Sequence, residues 1–339
     1  KINLLAALLN AATTLIFAKL GHGVWALIYG GLVLFGTRAV GLTLATKWLI
    51  PPSFRFKGAG RIFQFGSALV LAQFFWFLQS QSDIFIAGRL LAPHELGLYT
   101  TALFLTQALA HKFVPPLNEV AFAAYSRMQG QRDALGQAFL KGVRLVMLVT
   151  LPFYLGLAAT AEPLVLTVLG EKWAESARLV QIVALSMPFF TLQILFAPAN
   201  NGAGRAGTAL KSALAGAVIM PACFLIGIQY GILGLALGCL VGFPILAAVT
   251  ALISLPGIGV SAGALSRALM PGLLSSALMM LSVMAIGELL PQMVPQARLS
   301  ILVVSGAALY AMLLFLFARP LLKEALALMR RPTPAAESA

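Results

Sequence analysis

The dominant feature of this sequence is a succession of ten apolar runs separated by short polar segments. Most runs are close to the roughly 20 residues with which a helix crosses the hydrocarbon core of a membrane. They are rich in Leu, Ala, Val, Ile and Phe and lack the alternation of a half-buried strand, which favours helices. The chain is therefore predicted to be an all-α polytopic membrane protein with about ten transmembrane helices. The runs lie at 2–18, 23–45, 62–82, 97–122, 142–161, 178–199, 208–228, 231–253, 267–287 and 298–318.

Composition excludes a soluble globular protein. The 339 residues are 60% apolar and 10% charged, whereas a soluble domain carries about 25% charged residues. So few polar groups cannot cover a surface that faces water. Many Gly and Ala residues in 202–242 favour close packing between helices in the membrane.

The basic residues predict how the chain is oriented in the membrane. The net charge is +13, which in a soluble protein would indicate a nucleic-acid partner. Here most Lys and Arg residues lie in short loops and alternate between a rich side and a poor side, so no nucleic acid is expected and the rich side is cytoplasmic. The C-terminus is then cytoplasmic too. The rich side holds Lys47, Arg55, Lys57, Arg61, Arg127, Arg132, Lys141, Arg144, Arg205, Lys211, Arg267, Arg319, Lys323, Arg330 and Arg331, and the poor side holds Lys19, Arg89, Lys172, Arg178 and Arg298.

The polar residues show no constellation typical of an enzyme. Magnesium-dependent prenyl transfer would need clustered carboxylates, and the closest acidic pair is Glu171 and Glu175. The three histidines and the two cysteines, Cys223 and Cys239, have no metal-ligand spacing. GAGR at 58–61 and NGAGR at 201–205 lack the Lys and Ser/Thr of a phosphate loop. We therefore expect no enzymatic activity, no metal and no cofactor.

One stretch resembles a known family of transporters. Residues 65–102 read FGSALVLAQFFWFLQSQSDIFIAGRLLAPHELGLYTTA. A helix opens with Phe-Gly and has an Asp near its outer end, followed by I-x-I-x-G-R-x-L and then E-L-G-x-Y-x-x-A. This pattern resembles the seventh helix and following turn of the polysaccharide (O-antigen) flippases, within the multidrug/oligosaccharidyl-lipid/polysaccharide exporter superfamily.

Three further stretches agree with this resemblance, in the same order along the chain. GHGVWALIYG at 21–30 resembles the turn between the fifth and sixth helices of the family. VAFAAYSRMQGQRDAL at 120–135 resembles the segment that ends the eighth helix, although Ala123 replaces the usual Pro. LGEKWAESA at 169–177 resembles the turn after the ninth helix. The resemblance thus covers essentially the whole chain.

The resemblance implies a fold and a domain organisation. The family has about fourteen helices in two six-helix lobes around a central cavity. This chain would begin near the fifth helix. It would be the C-terminal part of a longer protein and would itself be N-terminally truncated. The implied segments are the last two helices of the N-terminal lobe (1–45), a cytoplasmic inter-lobe loop (46–61), the C-terminal lobe (62–255), two additional helices (256–319) and a cytoplasmic tail (320–339).

The resemblance also implies a function. A member of this family would flip a polyprenyl-pyrophosphate-linked oligosaccharide across the bacterial cytoplasmic membrane by alternating access, for export of cell-surface polysaccharide such as the O-antigen of lipopolysaccharide. Its expected partners are this lipid-linked substrate, membrane lipids and the polysaccharide polymerase and export machinery. The alternatives are a drug/cation antiporter of the same superfamily and a non-transporting membrane enzyme or scaffold of polysaccharide assembly.

A polar stripe in the run 97–122 is the first candidate for a cavity wall. Gln107, His111 and Asn118 share one helical face, and Lys112 and Glu119 lie on an adjacent part of it. A charge this deep costs several kcal/mol unless it meets water or a partner. The alternative interpretation is a structural ion pair, either between Lys112 and Glu119 or between helices.

Three other ionisable residues are candidates. Arg38 lies about seven residues inside the run 23–45, where it could bind pyrophosphate as a bidentate fork or extend to the cytoplasmic headgroups. Asp83 follows the run 62–82 near its outer end. It could line the cavity, bind a coupling cation or act in gating, or it could pair with Arg89 across a turn.

Overall fold

The computed structural model describes residues 2–46 and 60–317, and within these ranges it contains α-helices and two 3-10 turns but no strand. It divides into two compact units, residues 1–60 and 61–339. The predicted tail at 320–339 and nearly all of the predicted loop at 46–61 lie outside the described residues. Several of the basic residues that predict the orientation also lie there, namely Lys47, Arg55, Lys57, Arg319, Lys323, Arg330 and Arg331.

The described helices confirm the predicted all-α polytopic fold, because each of the ten predicted spans coincides with a long helix. Two further helices are short, with eight and seven residues. The helices are α1 (Ile2–Lys19), α2 (Trp25–Thr46), α3 (Gly60–Leu90), α4 (Pro93–Ser126), α5 (Arg132–Ala159), α6 (Ala161–Val168), α7 (Ser176–Ile194), α8 (Phe196–Gly202), α9 (Ala206–Gly227), α10 (Gly231–Ile258), α11 (Ala262–Leu289) and α12 (Pro295–Phe317).

Most of these helices are both long and apolar enough to cross a membrane. Seven segments of the described residues meet this criterion, among them Ala206–Ile258, which holds α9 and α10. The remaining long helices, α3 and α4, have 31 and 34 residues. They are less apolar because they carry the glutamines, histidines and charged residues that the sequence analysis singled out.

The segment 83–96 differs from the prediction. The sequence places a loop there because Asp83, Arg89 and Glu95 interrupt the apolar pattern. In the structure α3 continues to Leu90 and α4 begins at Pro93, so that Asp83 lies inside a helix and not at a turn. A helix is held by hydrogen bonds between backbone groups, so it continues through residues with polar side chains. Such residues end an apolar run in the sequence but do not end the helix.

The first unit is an antiparallel pair of helices. A Cβ atom at Gly30 of α2 would overlap the Asn10 and Thr14 side chains of α1, and one at Gly41 would overlap Ile2. The glycines therefore let the two helices approach closely. At the connecting turn, the rings of Phe17 and Tyr29 lie 4.9 Å apart between centroids.

The second unit is built around α7. This helix packs against α4, α5 and α10, and its residues Val180, Val183, Ala184 and Met187 are fully buried. Large apolar side chains on the outer helices are exposed instead, for example Leu252 of α10 and Val304 of α12. An outer surface of this kind suits contact with lipid rather than water.

The turn before α7 explains one of the sequence motifs. Gly170 has a φ of 87°, a left-handed conformation that L side chains rarely adopt. It ends the short helix α6 and leads into the 3-10 turn Glu171–Trp173, and α7 starts three residues later. The glycine of LGEKWAESA is thus required by the backbone.

Helices α9 and α10 approach each other backbone to backbone, which confirms the close packing predicted for 202–242. They are joined by the 3-10 turn Ile228–Tyr230. A Cβ atom at Gly227 would overlap the carbonyl oxygen of Gly234, and a Cβ atom at Gly234 would overlap that of Gly227. No side chain can move aside here, because the obstacle is backbone.

We expect Gly234→Ala to lower the free energy of unfolding by about 1–3 kcal/mol, the usual result of overpacking a tight contact. The measurement is the thermal unfolding midpoint of the protein in detergent. Gly207→Ala is the matched control, because a Cβ at Gly207 in the neighbouring helix α9 meets no atom within 4 Å. Equal midpoints for the two variants would contradict the backbone contact.

Candidate functional site

The candidate site is a polar cavity inside the second unit, which we call the Asp83 cavity. Its volume is about 260 Å³, and five helices contribute to its wall: α3, α4, α7, α9 and α10. Phe190, Phe224 and Phe243 form its apolar side. Its polar and ionisable side is formed by Gln73, Gln79, Ser80, Gln81, Asp83, Gln107, His111 and Cys239.

Helical periodicity places the polar residues together. On α3, Gln73, Trp76, Ser80 and Asp83 are three or four residues apart and therefore share one face. On α4, Gln107 and His111 are one turn apart, and His111 Nε2 lies 3.0 Å from Gln107 Oε1. The two least apolar long helices thus direct polar side chains into the same space.

Asp83 is the most strongly held polar residue of this cavity. It is 5% exposed. The hydroxyl of Tyr99 on α4 donates to Asp83 Oδ2 at 3.0 Å, and the backbone N–H of Ile84 donates to Oδ1 at 2.8 Å. The Tyr99 oxygen also lies 3.5 Å from the sulfur of Cys239 on α10. These contacts tie three helices together behind the carboxyl group.

No Lys or Arg side chain lines the Asp83 cavity among the described residues. Arg89 is exposed near the end of α3, and the described residues contain no ion pair between it and Asp83. The partner that the structure gives Asp83 is therefore Tyr99. A carboxyl group, an imidazole and several amides in one cavity can hold a cation or hydrogen-bond a hydroxylated ligand.

The structure separates the other candidates of α4 from this cavity. Lys112 and Glu119 are exposed, and the described residues include no ion pair between them. Asn118 is half-buried, and its Oδ1 has no hydrogen-bond partner among the described residues. Gln107, His111 and Asp83 are thus brought together, whereas Lys112, Asn118 and Glu119 are not part of the cavity wall.

Arg38 belongs to the first unit. It lies on α2, is half-buried, and its Nε has no hydrogen-bond partner among the described residues. Its position inside a helix long and apolar enough to span a membrane agrees with the sequence analysis. Both interpretations, pyrophosphate binding and contact with headgroups, remain predictions.

The described residues contain no group of three or more His, Cys, Asp or Glu side chains that could hold a metal ion. Asp83, His111 and Cys239 line the same cavity without forming such a group.

Two residues around Asp83 were missed by the sequence analysis. Tyr99 belongs to the E-L-G-x-Y motif, and its separation of 16 residues from Asp83 could have suggested a contact across the α3–α4 connection. Cys239 comes from a distant part of the chain, and no sequence signal connects it with Asp83.

Comparison with protein families places the chain. A family model described as "Polysaccharide biosynthesis protein" matches residues 1–178, which is more than half of the sequence. The chain belongs to this family. Membership confirms the resemblance to polysaccharide flippases that the motifs indicated.

Three curated relatives are each named for the biosynthesis of a particular product. The present chain is 25% identical over 210 residues to the succinoglycan biosynthesis transport protein ExoT of Rhizobium meliloti, and the match covers 62% of this chain and 42% of that protein. It is 24% identical over 139 residues to the teichuronic acid biosynthesis protein TuaB of Bacillus subtilis, covering 41% and 29%. It is 25% identical over 122 residues to the lipopolysaccharide biosynthesis protein WzxC of Escherichia coli, covering 36% and 25%. The chain thus spans less than half the length of each relative.

A solved structure shares the fold. The lipid II flippase MurJ in an inward closed conformation superimposes with a TM-score of 0.68 at 14% identity, covering 94% of this chain and 68% of that one. At this identity the likeness concerns the fold alone.

We expect Tyr99→Phe to lower the free energy of unfolding by about 1–3 kcal/mol, because Asp83 loses a buried hydrogen-bond donor. Thermal unfolding in detergent measures this. The matched control is Tyr230→Phe, since Tyr230 is 79% exposed. If both variants unfolded at the temperature of the unmodified protein, the Tyr99–Asp83 contact would have no structural importance.

Proposed function

We propose that this protein takes part in flipping a polyprenyl-pyrophosphate-linked oligosaccharide across the bacterial cytoplasmic membrane. The observation that carries the proposal is the Asp83 cavity, a polar space inside a multi-pass helical unit that is otherwise apolar. Membership of a polysaccharide biosynthesis family and the fold shared with a flippase support it. Residues 1–45 would complete an N-terminal lobe, 62–255 would form the C-terminal lobe, and 256–319 would add two helices.

The physical problem of such a substrate is its head. An anionic, hydrated pyrophosphate and sugar cannot enter hydrocarbon, because each unsatisfied polar group there costs several kcal/mol. A cavity that opens alternately to the two sides of the membrane removes this barrier, while the lipid tail stays in the bilayer. The protein would therefore act as a transporter and not as an enzyme.

Lys112 is proposed to contact the pyrophosphate. It is exposed near the middle of α4, whose 34 residues extend roughly 50 Å at 1.5 Å per residue. A Lys facing lipid at that depth would cost about 2.5 kcal/mol or more, so we place it against water. Arg38 is the second proposed contact, and its planar guanidinium suits bidentate binding of phosphate.

The location and partners follow from this function. The protein would lie in the cytoplasmic membrane with its C-terminus in the cytoplasm, among membrane lipids. It would hand its substrate to the polysaccharide polymerase and export machinery.

A drug/cation antiporter is the second candidate, and one observation favours it. Asp83 is the only Asp or Glu among the described residues that line its cavity, and no Lys or Arg there neutralises it. The same residue could bind a coupling cation in a flippase, with Arg89 near the helix end acting in gating.

We expect Lys112→Ala to reduce flipping by roughly tenfold or more, as loss of a charge-assisted contact to the head would. Because the chain spans less than half of each relative, it is fused behind the N-terminal helices of ExoT. The fusion is expressed in a bacterium that lacks its own polysaccharide flippase, and surface polymer and lipid-linked intermediate are measured.

The control for this measurement is Lys211→Ala, because Lys211 is exposed near the start of α9. Normal surface polymer with Lys112→Ala at equal protein level would exclude Lys112 from the transport path. If the unmodified fusion accumulated in the membrane without restoring polymer, the flippase proposal would fail.

We expect Asp83→Asn to separate the two candidates. In an ion-coupled flippase the variant loses the dependence of polymer export on the cation gradient, and it does not affect drug efflux. In an antiporter the variant abolishes efflux of cationic drugs from the same cells and leaves surface polymer unchanged. Thr106→Val is the control, since Thr106 is buried on α4 outside the cavity wall.

A further inference from the structure

A second cavity, which we call the amide cavity, lies inside the same unit. Its volume is about 230 Å³, and α3, α7, α8, α9 and α10 contribute to its wall. Gln73 and Trp76 of α3 line both this cavity and the Asp83 cavity. The other polar residues of the wall are Gln193, Asn200, Asn201, Ser212 and Thr250.

The polar groups of this wall are buried and lack partners. Asn200 and Thr250 are 1% exposed, and Gln193 is 5% exposed. Five side-chain oxygens make no hydrogen bond to any described residue, namely Gln193 Oε1, Asn200 Oδ1, Asn201 Oδ1, Ser212 Oγ and Thr250 Oγ1. An unsatisfied buried polar group costs about 1–3 kcal/mol, and proteins contain few of them. Five of the residues that line one cavity therefore carry an oxygen that the described residues leave unpaired.

One contact holds this wall in place. The side-chain amide nitrogen of Asn200 donates to Ser254 Oγ of α10 at 2.9 Å, and both residues are buried. This hydrogen bond fixes the Asn200 amide and leaves its oxygen unpaired. The Asn200 amide is therefore held in one orientation by the protein itself.

The chemistry of the wall selects an uncharged ligand. No Asp, Glu, Lys, Arg or His lines the amide cavity among the described residues. Amides and hydroxyls both donate and accept hydrogen bonds, and each hydroxyl of a sugar does the same. The apolar part of the wall includes Trp76, Leu69 and Ile194, and such a mixture of apolar surface and a few polar groups is typical of small-molecule sites.

The volume argues against a bare cation as the occupant. At about 30 Å³ per water, the 230 Å³ of this cavity greatly exceeds the space of one ion and the one or two waters that would complete its shell. It is comparable with a single sugar ring.

We propose that the amide cavity binds one neutral sugar ring of the oligosaccharide. This inference rests on the proposed function and names the residues that recognise the sugar. Gln193, Asn200 and Thr250 would pair with its hydroxyls, and the ring of Trp76 would contact its apolar face. Charge recognition is then assigned to other residues, and the amide cavity distinguishes substrates by the pattern of their hydroxyl groups.

The test uses the purified full chain in detergent and two nearly isosteric variants, Thr250→Val and Gln193→Leu. Glucose, galactose and N-acetylglucosamine are titrated into the millimolar range, and tryptophan fluorescence is followed because Trp76 lies in the wall. We expect at least one sugar to bind and each variant to weaken that binding roughly tenfold or more. Both variants should unfold at or above the temperature of the unmodified protein, since each removes an unpaired buried oxygen.

Thr106→Val is the matched control. Thr106 is also fully buried, but its hydroxyl donates to the Ala102 carbonyl at 2.8 Å outside the amide cavity. This variant should bind sugar normally.

Three outcomes would overturn the proposal. The first is that none of the three sugars binds, and the second is that Thr250→Val and Gln193→Leu bind them normally. The third is that sodium chloride, but not choline chloride, stabilises the unmodified protein and that neither variant shows this stabilisation. The last result would make the amide cavity a cation site. Flipping by the ExoT fusion is measured in parallel. If the fusion flips the substrate but no sugar binds, only this inference is wrong. If sugar binds and both variants weaken the binding but the fusion does not flip, the amide cavity is supported and the proposed function is wrong.

Discussion

The rule that polar groups within a membrane must be satisfied inside the protein determines most of this structure. Backbone groups obey it by forming long helices, and a buried ionisable side chain obeys it by finding partners inside the protein. Asp83 illustrates the second case, since a tyrosine hydroxyl and a backbone N–H both donate to its carboxyl group. The two helices that carry the most polar residues, α3 and α4, are the ones that need such interior partners, and the apolar faces of α10 and α12 are left for lipid.

Sequence reasoning predicted the helices well and the site in part. Ten long helices follow from apolar length alone, because crossing hydrocarbon fixes how many residues a span needs. The prediction failed at 83–96, where polar residues inside continuous helices were interpreted as a loop. Within the site, Asp83, Gln107 and His111 could be found because spacing along one helix is visible in a sequence. Cys239 and Thr250 could not, because their places depend on how α10 packs against helices distant in the chain.

The two cavities of the second unit differ in the ionisable side chains of their walls. The Asp83 cavity contains a carboxyl group and an imidazole, whereas the wall of the amide cavity has no ionisable side chain among the described residues. Neither wall includes Lys112, the lysine of the predicted polar stripe, because it is one position beyond His111 and so points about 100° away from it around the helix. Position around the helix, and not depth in the membrane, separates the imidazole from the ammonium group.

The contact between Gly227 and Gly234 has a mechanical consequence. Backbone meets backbone there, so the ends of α9 and α10 beside their connecting turn cannot move closer through a change of side-chain rotamer. Helix α3 meets α9 through side chains such as that of Gln79, which lies against Gly216. Side chains can change rotamer, whereas the backbone cannot. Movement of α3 over α9 at this side-chain contact is therefore easier than movement of α9 against α10 at their glycine contact.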